Sequence, residues 1–230
     1  MKVVDQLFDF LVPRYCKVCG RRLSVGEKHL CVTCTIGMPL LGYDMDELSP
    51  AEKILLSERS VVRAASMMEY EKESEYRRII YHMKYYDRPR IGTYLAVIGA
   101  RTLQGKGFFE GVDLIVPVPL SRQKLRSRGY NQCSYIAEGI SEVTGIPVHD
   151  HALARHRQGR RQAGLGLSQR WSNAQGLYFV PDPSVLAGRH ILLVDDVMTT
   201  GATLCSVIES IQESVPDIRI TVFTLAIVRN

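Results

Sequence analysis

The spacing of apolar residues along the chain predicts helices that alternate with short buried strands. Helical periodicity is found in residues 72–86, in a segment that follows Pro89, in residues 131–144 and in residues 202–215. Short, continuous apolar runs occur at residues 113–119, 191–194 and 220–227. Such runs are typical of strands that are buried on both faces of a parallel sheet. The alternation of the two element types indicates an α/β fold with a mostly parallel sheet.

The first part of the chain has a different pattern. Residues 1–45 are rich in turns and hold four of the six cysteines, whereas longer periodic segments begin near Pro50. With 230 residues, of which 46% are hydrophobic and 23% charged, the chain can bury a sizeable core, so disorder is not expected. We therefore predict a small N-terminal unit over residues 1–45 and a main domain over residues 46–230.

The segment at residues 194–203, Val-Asp-Asp-Val-Met-Thr-Thr-Gly-Ala-Thr, lies between a predicted strand and a predicted helix. Gly201 lets the backbone approach a ligand closely, and the unpaired amides at a helix start favour a phosphate dianion. Asp195 and Asp196, at the end of a parallel strand, can accept hydrogen bonds from ribose hydroxyls, directly or through Mg²⁺. The alternative is an ordinary strand-to-helix turn capped by Asp and filled by Thr. The combination of residues favours a phosphorylated sugar.

Two cysteine pairs near the N-terminus predict a structural zinc site. Cys16 and Cys19 form one pair, Cys31 and Cys34 form the other, and eleven residues separate the pairs. Four thiolates at this spacing make a closed tetrahedral Zn²⁺ site, and the metal would supply folding energy to a segment with little core. The alternative of two disulfides does not suit the cytoplasmic location that we expect. Whether this ribbon contacts nucleic acid or only supports the main domain stays open.

Positive charge is concentrated in the second half of the chain. The net charge is +5, and residues 120–181 hold eight arginines and one lysine but only three acidic residues. A positive field of this kind attracts polyanions, either a phosphorylated metabolite or a nucleic-acid backbone.

The opening residues do not have the pattern of a targeting segment. Asp5 and Asp9 interrupt the apolar run that a signal peptide requires, and no window approaches the length of a membrane span. We therefore expect a cytoplasmic protein without membrane insertion.

Residues 194–203 resemble the 5-phosphoribosyl diphosphate signature of type I phosphoribosyltransferases. The resemblance implies a parallel sheet of about five strands with flanking helices, and a substrate bound with Mg²⁺. It implies ribose hydroxyls near Asp195 and Asp196, which would act in catalysis together with Arg161. The implied 5′-phosphate site consists of Met198, Thr199, Thr200, Gly201, Ala202 and Thr203. The implied diphosphate site, on a short loop after a strand, consists of Pro119, Leu120, Ser121, Arg122, Arg126 and Arg128.

The basic residues fall into two clusters that suit this resemblance. The first cluster contains Arg122, Lys124, Arg126 and Arg128, and the second contains Arg155, Arg157, Arg160 and Arg161. The second cluster lies in a glycine-bearing stretch that resembles the mobile catalytic loop of these enzymes. Each arginine taken singly is equally well explained as a solvated surface charge. The scarcity of acidic residues between the clusters favours a role in anion binding.

A more specific resemblance covers nearly the whole chain. Its motifs are Val116-Pro117-Val118-Pro119-Leu120, the segment Arg-Ser-Arg-Gly-Tyr-Asn-Gln at residues 126–132, and Arg161-Gln162 followed by Leu165, Arg170, Asn173 and Gly176. Together with the N-terminal cysteines, these motifs are similar to the ComF family of competence-related proteins. That family is described as phosphoribosyltransferase-like and is tied to DNA uptake or to the use of DNA as a nutrient. The resemblance implies a type I phosphoribosyltransferase fold with a small N-terminal Cys₄ zinc ribbon.

Two functions stay open at this point. The chain either transfers the phosphoribosyl group to a nucleobase-like acceptor, or it is a competence factor that binds single-stranded DNA and uses the pocket as a nucleotide sensor without catalysis. The expected partners are 5-phosphoribosyl diphosphate in both cases, single-stranded DNA in the second, and competence or DNA-processing proteins by family association.

Lys84 and Arg88 come at the end of a predicted helix that contains Tyr81, Tyr85 and Tyr86. These residues either reach an aromatic substrate, or the tyrosines form a domain interface past which Lys84 extends to solvent. The second interpretation is favoured on general grounds.

Overall fold

The computed structural model describes residues 13–86, 89–156 and 176–229. Several sequence predictions concern residues outside these ranges, namely those for Arg88, Arg157, Arg160, Arg161, Gln162, Leu165, Arg170 and Asn173. The strands are β1 (Val61–Glu71), β2 (Leu114–Pro117), β3 (Ala154–Arg155), β4 (Tyr178–Phe179), β5 (His190–Met198) and β6 (Arg219–Arg229). The helices are α1 (Val32–Ile36), α2 (Pro50–Ile54), α3 (Arg77–Tyr85), α4 (Arg90–Gln104), α5 (Arg122–Arg128), α6 (Gln132–Thr144) and α7 (Ala202–Ser214).

Four of the strands form a parallel sheet in the order β1-β6-β5-β2. A short segment continues the sheet beside β2, where the Ile115 amide donates to the Pro147 carbonyl (2.8 Å) and the His149 amide donates to the Ile115 carbonyl (2.9 Å). β3 and β4 form a separate antiparallel pair. The predicted parallel α/β sheet is therefore confirmed.

Helices cover both faces of the sheet, as the continuous apolar strands predict. Along β5 the apolar side chains alternate between two buried clusters, with Leu192 and Val194 in one and Ile191 and Leu193 in the other. The first cluster also contains buried residues of α3, α4 and α6, and the second contains those of α7 and α2. This arrangement leaves the C-terminal edge of the parallel strands open, which is the edge where ligands bind in such sheets.

Two elements do not follow from the apolar pattern. β1 contains polar residues along its length, so it has no continuous apolar run, yet it pairs with β6 along Val61–Glu71 and Ser66 Oγ lies 2.7 Å from Thr224 Oγ1. The segment after β2 is the helix α5 rather than a loop, capped by Ser121 and ended by Gly129 with a φ of 80°. α5 has no buried residue, and so it has no apolar stripe from which it could have been predicted.

The N-terminal ribbon packs against the main domain. The Tyr76 hydroxyl donates to the Cys34 carbonyl (3.0 Å), and Arg78 Nη1 donates to the Val18 carbonyl (3.1 Å). Leu40 forms an antiparallel bridge with Met68 of β1, so the chain reaches the sheet before residue 45. The boundary between residues 45 and 46 stays a prediction. Within the described ranges, no helix is both long enough and apolar enough to cross a membrane.

Candidate functional site

Two adjacent carboxylates lie near the C-terminal end of β5. β2 is paired with β5 only as far as Val194, whereas β6 remains paired with it as far as Met198. Asp195 and Asp196 therefore come directly after the point where β2 stops, and the end of the shorter strand leaves room beside them. Both side chains are largely buried.

Each carboxylate has partners within the protein. Lys84 Nζ lies 2.9 Å from Asp196 Oδ1, and Gln132 Nε2 donates to Asp196 Oδ2. Asp195 Oδ1 accepts from the Asp196 amide (2.8 Å) and from the Cys133 thiol (3.5 Å). The favoured interpretation of Lys84, that it extends past a tyrosine interface to solvent, is wrong, because its ammonium group forms an ion pair with one of the two acids.

Burial and the close charges shift the pKa values of this cluster. Burial, followed by the charge of Asp196, raises the pKa of Asp195 to about 6, because these effects exceed the opposing contacts of the Asp196 amide, Lys84 and the Cys133 thiol. Burial, followed by the two carboxylates, also raises the pKa of Cys133, so that its thiol stays protonated. For Lys84, burial lowers the pKa, but the attraction of Asp196 exceeds this effect and the net shift is upward. Lys84 is therefore a permanent cation beside the acid pair.

The acid pair lies in a cavity of about 310 Å³ that combines cations with a helix start. Its charged lining consists of Asp195, Asp196, Lys84, Lys124, Arg128 and Arg155. Ala202 and Thr203, in the first turn of α7, line the same cavity. A thirteen-residue helix carries a partial positive charge at this end, where its first amides lack intrahelical partners. The site can hold an anion on one side and hydroxyl groups on the other. We name it the acid cavity.

The structure divides the predicted diphosphate residues into two groups. Pro119, Leu120 and Arg128 line the acid cavity, and Ser121 instead caps α5 by accepting from the Lys124 amide (3.3 Å). Arg122 and Arg126 are exposed and are not among the described residues that line the cavity. The helical geometry of α5 explains this division, because residues 122 and 126 share one face whereas Lys124 and Arg128 share another.

The predicted 5′-phosphate residues also take different positions. Met198 is buried, Thr199 and Thr200 are exposed, and Ala202 and Thr203 line the acid cavity. Gly201 precedes α7 with a φ of 76°, and an added Cβ there would lie 2.5 Å from Ile54 Cγ2. Both the backbone conformation and the lack of space therefore require glycine at this position.

Lys84, Gln132 and Tyr178 are among the residues of the acid cavity that had no predicted role there. Gln132 begins α6, whose N-cap is Asn131, and this places its amide beside Asp196. Arg155, from the second basic cluster, lies with its guanidinium 5.2 Å from the centre of the Tyr178 ring. Among these residues only Gln132 belongs to a family-like motif, and that motif is the sequence signal from which its place in the site could have been predicted.

The four N-terminal cysteines come together as predicted. Their sulfur atoms lie within 4.8 Å of one another, and Cys19 Sγ is 3.8 Å from Cys31 Sγ. Four sulfurs at about 2.3 Å from a tetrahedral Zn²⁺ would be about 3.8 Å apart, whereas a disulfide requires about 2.05 Å. The described cysteines form no disulfide. The geometry fits a structural zinc ion and does not fit the alternative of two disulfides.

Electrostatics also favour a cation among the four sulfurs. Burial raises the pKa of Cys16, but hydrogen bonds from the backbone of Cys31, Cys19 and Val18 outweigh this effect and lower it to about 7. Burial and the neighbouring sulfurs raise the pKa of Cys34. The lowered pKa of Cys16 favours a thiolate within the cluster, and a divalent cation would stabilise thiolates at this close range.

A second group of side chains with metal-ligand spacing consists of Cys133, Asp195 and Asp196. The two carboxylates suit Mg²⁺, which prefers oxygen, whereas the neutral thiol does not. Since Lys84 already lies beside Asp196, Mg²⁺ would bind chiefly through Asp195 or would take the place of the ammonium group. The residues present thus fit Mg²⁺ in part.

Comparison with known proteins agrees with this geometry. Residues 132–227 match the family described as the phosphoribosyl transferase domain. The DNA utilization protein YhgH of Escherichia coli K12 is 27% identical over 198 residues, which cover 84% of this chain and 81% of that protein. Competence protein F of Haemophilus influenzae is 32% identical over 93 residues, covering 40% of this chain and 41% of that protein.

A solved structure, the glutamine phosphoribosylpyrophosphate amidotransferase from Bacillus subtilis, is 20% identical and covers 59% of this chain and 26% of its own. Its TM-score of 0.37 is too low to support an argument about the fold. The parallel sheet, the acid pair at its C-terminal edge and the domain match define a phosphoribosyltransferase-type domain preceded by a Cys₄ ribbon. The chain is thus similar to phosphoribosyl transferase domains over residues 132–227 and to proteins named for DNA utilization and competence, in agreement with its resemblance to the ComF family.

Proposed function

We propose that the chain binds 5-phosphoribosyl diphosphate with Mg²⁺ in the acid cavity and transfers the phosphoribosyl group to a nucleobase-like acceptor. The observation that supports this proposal most directly is the composition of the cavity: two buried carboxylates share it with four cationic side chains and the start of α7. Carboxylates suit ribose hydroxyls, and cations and amides suit phosphates, so both chemical parts of the substrate have matching groups.

Each part of the substrate can be assigned to a region of the cavity. The 5′-phosphate would lie at Ala202 and Thr203, where the amides of the first turn of α7 are available. The diphosphate would lie at Pro119 and Leu120 with Lys124 and Arg128, and the exposed Arg122 and Arg126 would act only at longer range. Arg155 also suits a phosphate, because its Nε atom is buried and has no hydrogen-bond partner within the described residues. Arg161, which lies outside the described residues, stays a proposed catalytic residue.

In the proposed reaction, a ring nitrogen of the acceptor forms a bond to the anomeric carbon of the ribose while the bond from that carbon to the diphosphate oxygen breaks. The electron pair leaves with the diphosphate, and the proton on the nitrogen passes to solvent. Lys124 and Arg128 would offset the negative charge that develops on the leaving group. Bound Mg²⁺ would supply further charge neutralisation there. Asp195 would orient the ribose, and the ion pair with Lys84 would hold Asp196 in place.

Two further proposals concern the ribbon and the biological setting. We propose that Cys16, Cys19, Cys31 and Cys34 hold a structural Zn²⁺ ion. The names of the relatives, a DNA utilization protein and a competence protein, support a role in the handling of DNA or of nucleotides derived from it. The exposed face of α5, with Arg122 and Arg126, favours contact with single-stranded DNA as a second candidate function, in which the acid cavity senses a nucleotide without catalysis.

Calorimetric titration of 5-phosphoribosyl diphosphate into the zinc-loaded protein, without and with Mg²⁺, tests the main proposal. We expect binding that strengthens with Mg²⁺ and that the double variant Asp195→Asn/Asp196→Asn loses. Since each asparagine keeps the shape of the side chain, its far-ultraviolet circular dichroism should match that of the parent. If the parent protein, folded and loaded with zinc, binds no 5-phosphoribosyl diphosphate, the proposal is wrong. Binding to single-stranded DNA that survives in the double variant and falls steeply with salt would favour the second candidate.

A further inference from the structure

A second cleft opens at the same edge of the sheet as the acid cavity. It has a volume of about 700 Å³, and Lys84 lines both it and the acid cavity. Tyr70, close to the C-terminal end of β1, forms part of its wall, and α3 forms most of the rest. Because β1 and β5 run parallel, their C-terminal ends open onto the same side of the molecule.

The wall that α3 contributes is unusually aromatic. Tyr81, Tyr85 and Tyr86 are 53%, 58% and 56% exposed, and all three line the cleft. Their rings contact one another, with centroids 4.6 Å apart for Tyr81 and Tyr85 and 5.7 Å apart for Tyr81 and Tyr86. A single exposed tyrosine needs no explanation, but three rings in contact around a concave surface leave aromatic faces available for a planar ligand.

The polar groups of this tyrosine cleft are donors rather than acids. Arg77, Arg78 and Lys84 line it, and there is no carboxylate among its described lining residues. Arg78 is paired with Glu75 at 3.3 Å, so part of this charge is already compensated. Burial raises the pKa of Tyr70, and its phenol therefore stays protonated and can donate a hydrogen bond. Such a surface suits a neutral heteroaromatic ring with acceptor atoms.

Contacts fix the tyrosine helix to the acid cavity. The Arg128 guanidinium lies 4.9 Å from the centre of the Tyr85 ring, and Arg128 Nη1 also donates to Gln132 Oε1 (2.8 Å). The Tyr130 hydroxyl donates to the Met83 carbonyl (2.6 Å). Together with the ion pair between Lys84 and Asp196, these contacts hold the cleft and the acid pair in a fixed relation.

We propose that the tyrosine cleft binds a free nucleobase, the acceptor of phosphoribosyl transfer, by stacking it on the rings of α3. The inference rests on the proposed function, since an acceptor site is needed only if transfer occurs. The volume of the cleft is that of a small-molecule site, for which about 300–1,000 Å³ is usual. Lys84 separates the base from the acid pair, so a base held here would approach the ribose from the β1 side of the sheet.

Binding of adenine, guanine, cytosine and uracil, measured by saturation-transfer NMR and calorimetry, tests the inference. Each base is titrated alone and in the presence of ribose 5-phosphate, which fills the acid cavity without allowing transfer. The variants are Tyr81→Leu and Tyr86→Leu, and Tyr15→Leu is the matched control, because Tyr15 is 47% exposed and lies in the ribbon. We expect a base to bind the parent and the control, with a loss of about tenfold or more in each cleft variant.

Binding of 5-phosphoribosyl diphosphate, measured in the same variants, separates this inference from the proposed function. We expect that binding to be unchanged by Tyr81→Leu and Tyr86→Leu. If the substrate binds but no base does, or if every variant binds bases as the parent does, the tyrosine cleft is not the acceptor site and the proposed substrate site stands. If the cleft variants lose affinity for an oligothymidine strand but not for free bases, the cleft is a nucleic-acid surface and the inference is overturned. Base binding without any binding of 5-phosphoribosyl diphosphate would support the cleft and contradict the proposed function.

Discussion

The ribbon and the acid cavity bring charged groups together in opposite ways. In the ribbon, four chemically identical thiols come from residues 16–34 and face one another within 4.8 Å. In the acid cavity, the side chains come from several distant elements, among them α3, α5, α6, β3 and β5, and each carboxylate already has a partner. Like groups at close range need an added cation, whereas Lys84 supplies a resident one to the acid pair.

This difference separates what each region needs in order to fold. The buried apolar residues of the ribbon, among them Val18, Leu23 and Leu30, belong to a cluster shared with the main domain, and its four sulfurs face one another at the distance of metal ligands. The acid cavity lies at the edge of a large core, and its ion pair forms without a ligand. We therefore expect the ribbon to depend on metal for stability and the acid cavity to depend on metal only for substrate binding.

The largest effect should follow from loss of one ribbon thiolate. Cys31→Ser removes a ligand of the closed site, so we expect the protein to lose zinc and the free energy of unfolding to fall by several kcal/mol. Metal analysis and urea unfolding measure the two effects. Cys205→Ser is the matched control, because Cys205 is half-buried outside the cluster and burial raises its pKa to about 11. If Cys31→Ser kept its zinc and its stability, the ribbon would not depend on metal as we expect, and the contrast with the acid cavity would disappear.

A smaller effect should follow from removal of the resident cation. Lys84→Met leaves the carboxylate of Asp196 buried without its ion-pair partner, which typically costs about 3 kcal/mol. Urea unfolding at neutral pH measures the cost, and we expect it to shrink when Mg²⁺ is added, since the metal would replace the missing charge. Lys53→Met, at an exposed position of α2, is the control. If Lys84→Met were as stable as the parent, the acid pair would not need a cation.

The same contrast explains what the sequence could predict. The cysteine ligands lie close in sequence, so their spacing alone predicts the site. Asp195 and Asp196 were predicted from a strand-to-helix motif, which is equally local. Lys84 and Gln132, in contrast, meet Asp196 only because the two helices α3 and α6 pack against the sheet that carries Asp196. For Lys84 no local pattern carries that information, whereas Gln132 at least lies in a family-like motif.

The elements that the sequence analysis did not predict were missed for a similar physical reason. A helix without a buried face and a strand interrupted by polar residues give no apolar period, so α5 and β1 were not predicted. With a loop expected in place of α5, Arg122, Arg126 and Arg128 were all assigned to the diphosphate site. The helical geometry of α5 instead directs Lys124 and Arg128 to the acid cavity and leaves Arg122 and Arg126 exposed.

The smallest expected effect concerns the charge of Asp195 itself. Its pKa in the folded protein is about 6, above the ordinary value of 3.8, because burial and Asp196 disfavour the ionised form. A raised pKa in the folded state means that stability is fully present below the ordinary value and is lost as the pH rises through about 6. Asn at position 195 cannot ionise, so Asp195→Asn should unfold at higher urea concentration than the parent at pH 7, by at most about 3 kcal/mol. The difference should vanish near pH 4.

Asp182→Asn provides a control in which the pKa of the carboxyl group is shifted in the opposite direction. Hydrogen bonds from the Ser184 hydroxyl and amide lower the pKa of Asp182, so its ionised form stabilises the folded protein and that contribution is lost as the pH falls. We expect no gain at pH 7 from this exposed variant. With a saturating mixture of 5-phosphoribosyl diphosphate and Mg²⁺, the parent should become more stable than Asp195→Asn, because only the parent keeps the carboxylate that the ligand uses. The opposite result would be that Asp195→Asn is less stable than the Mg²⁺-free parent at neutral pH. The ionised acid pair would then stabilise the fold, and the difference drawn between the two regions would be wrong.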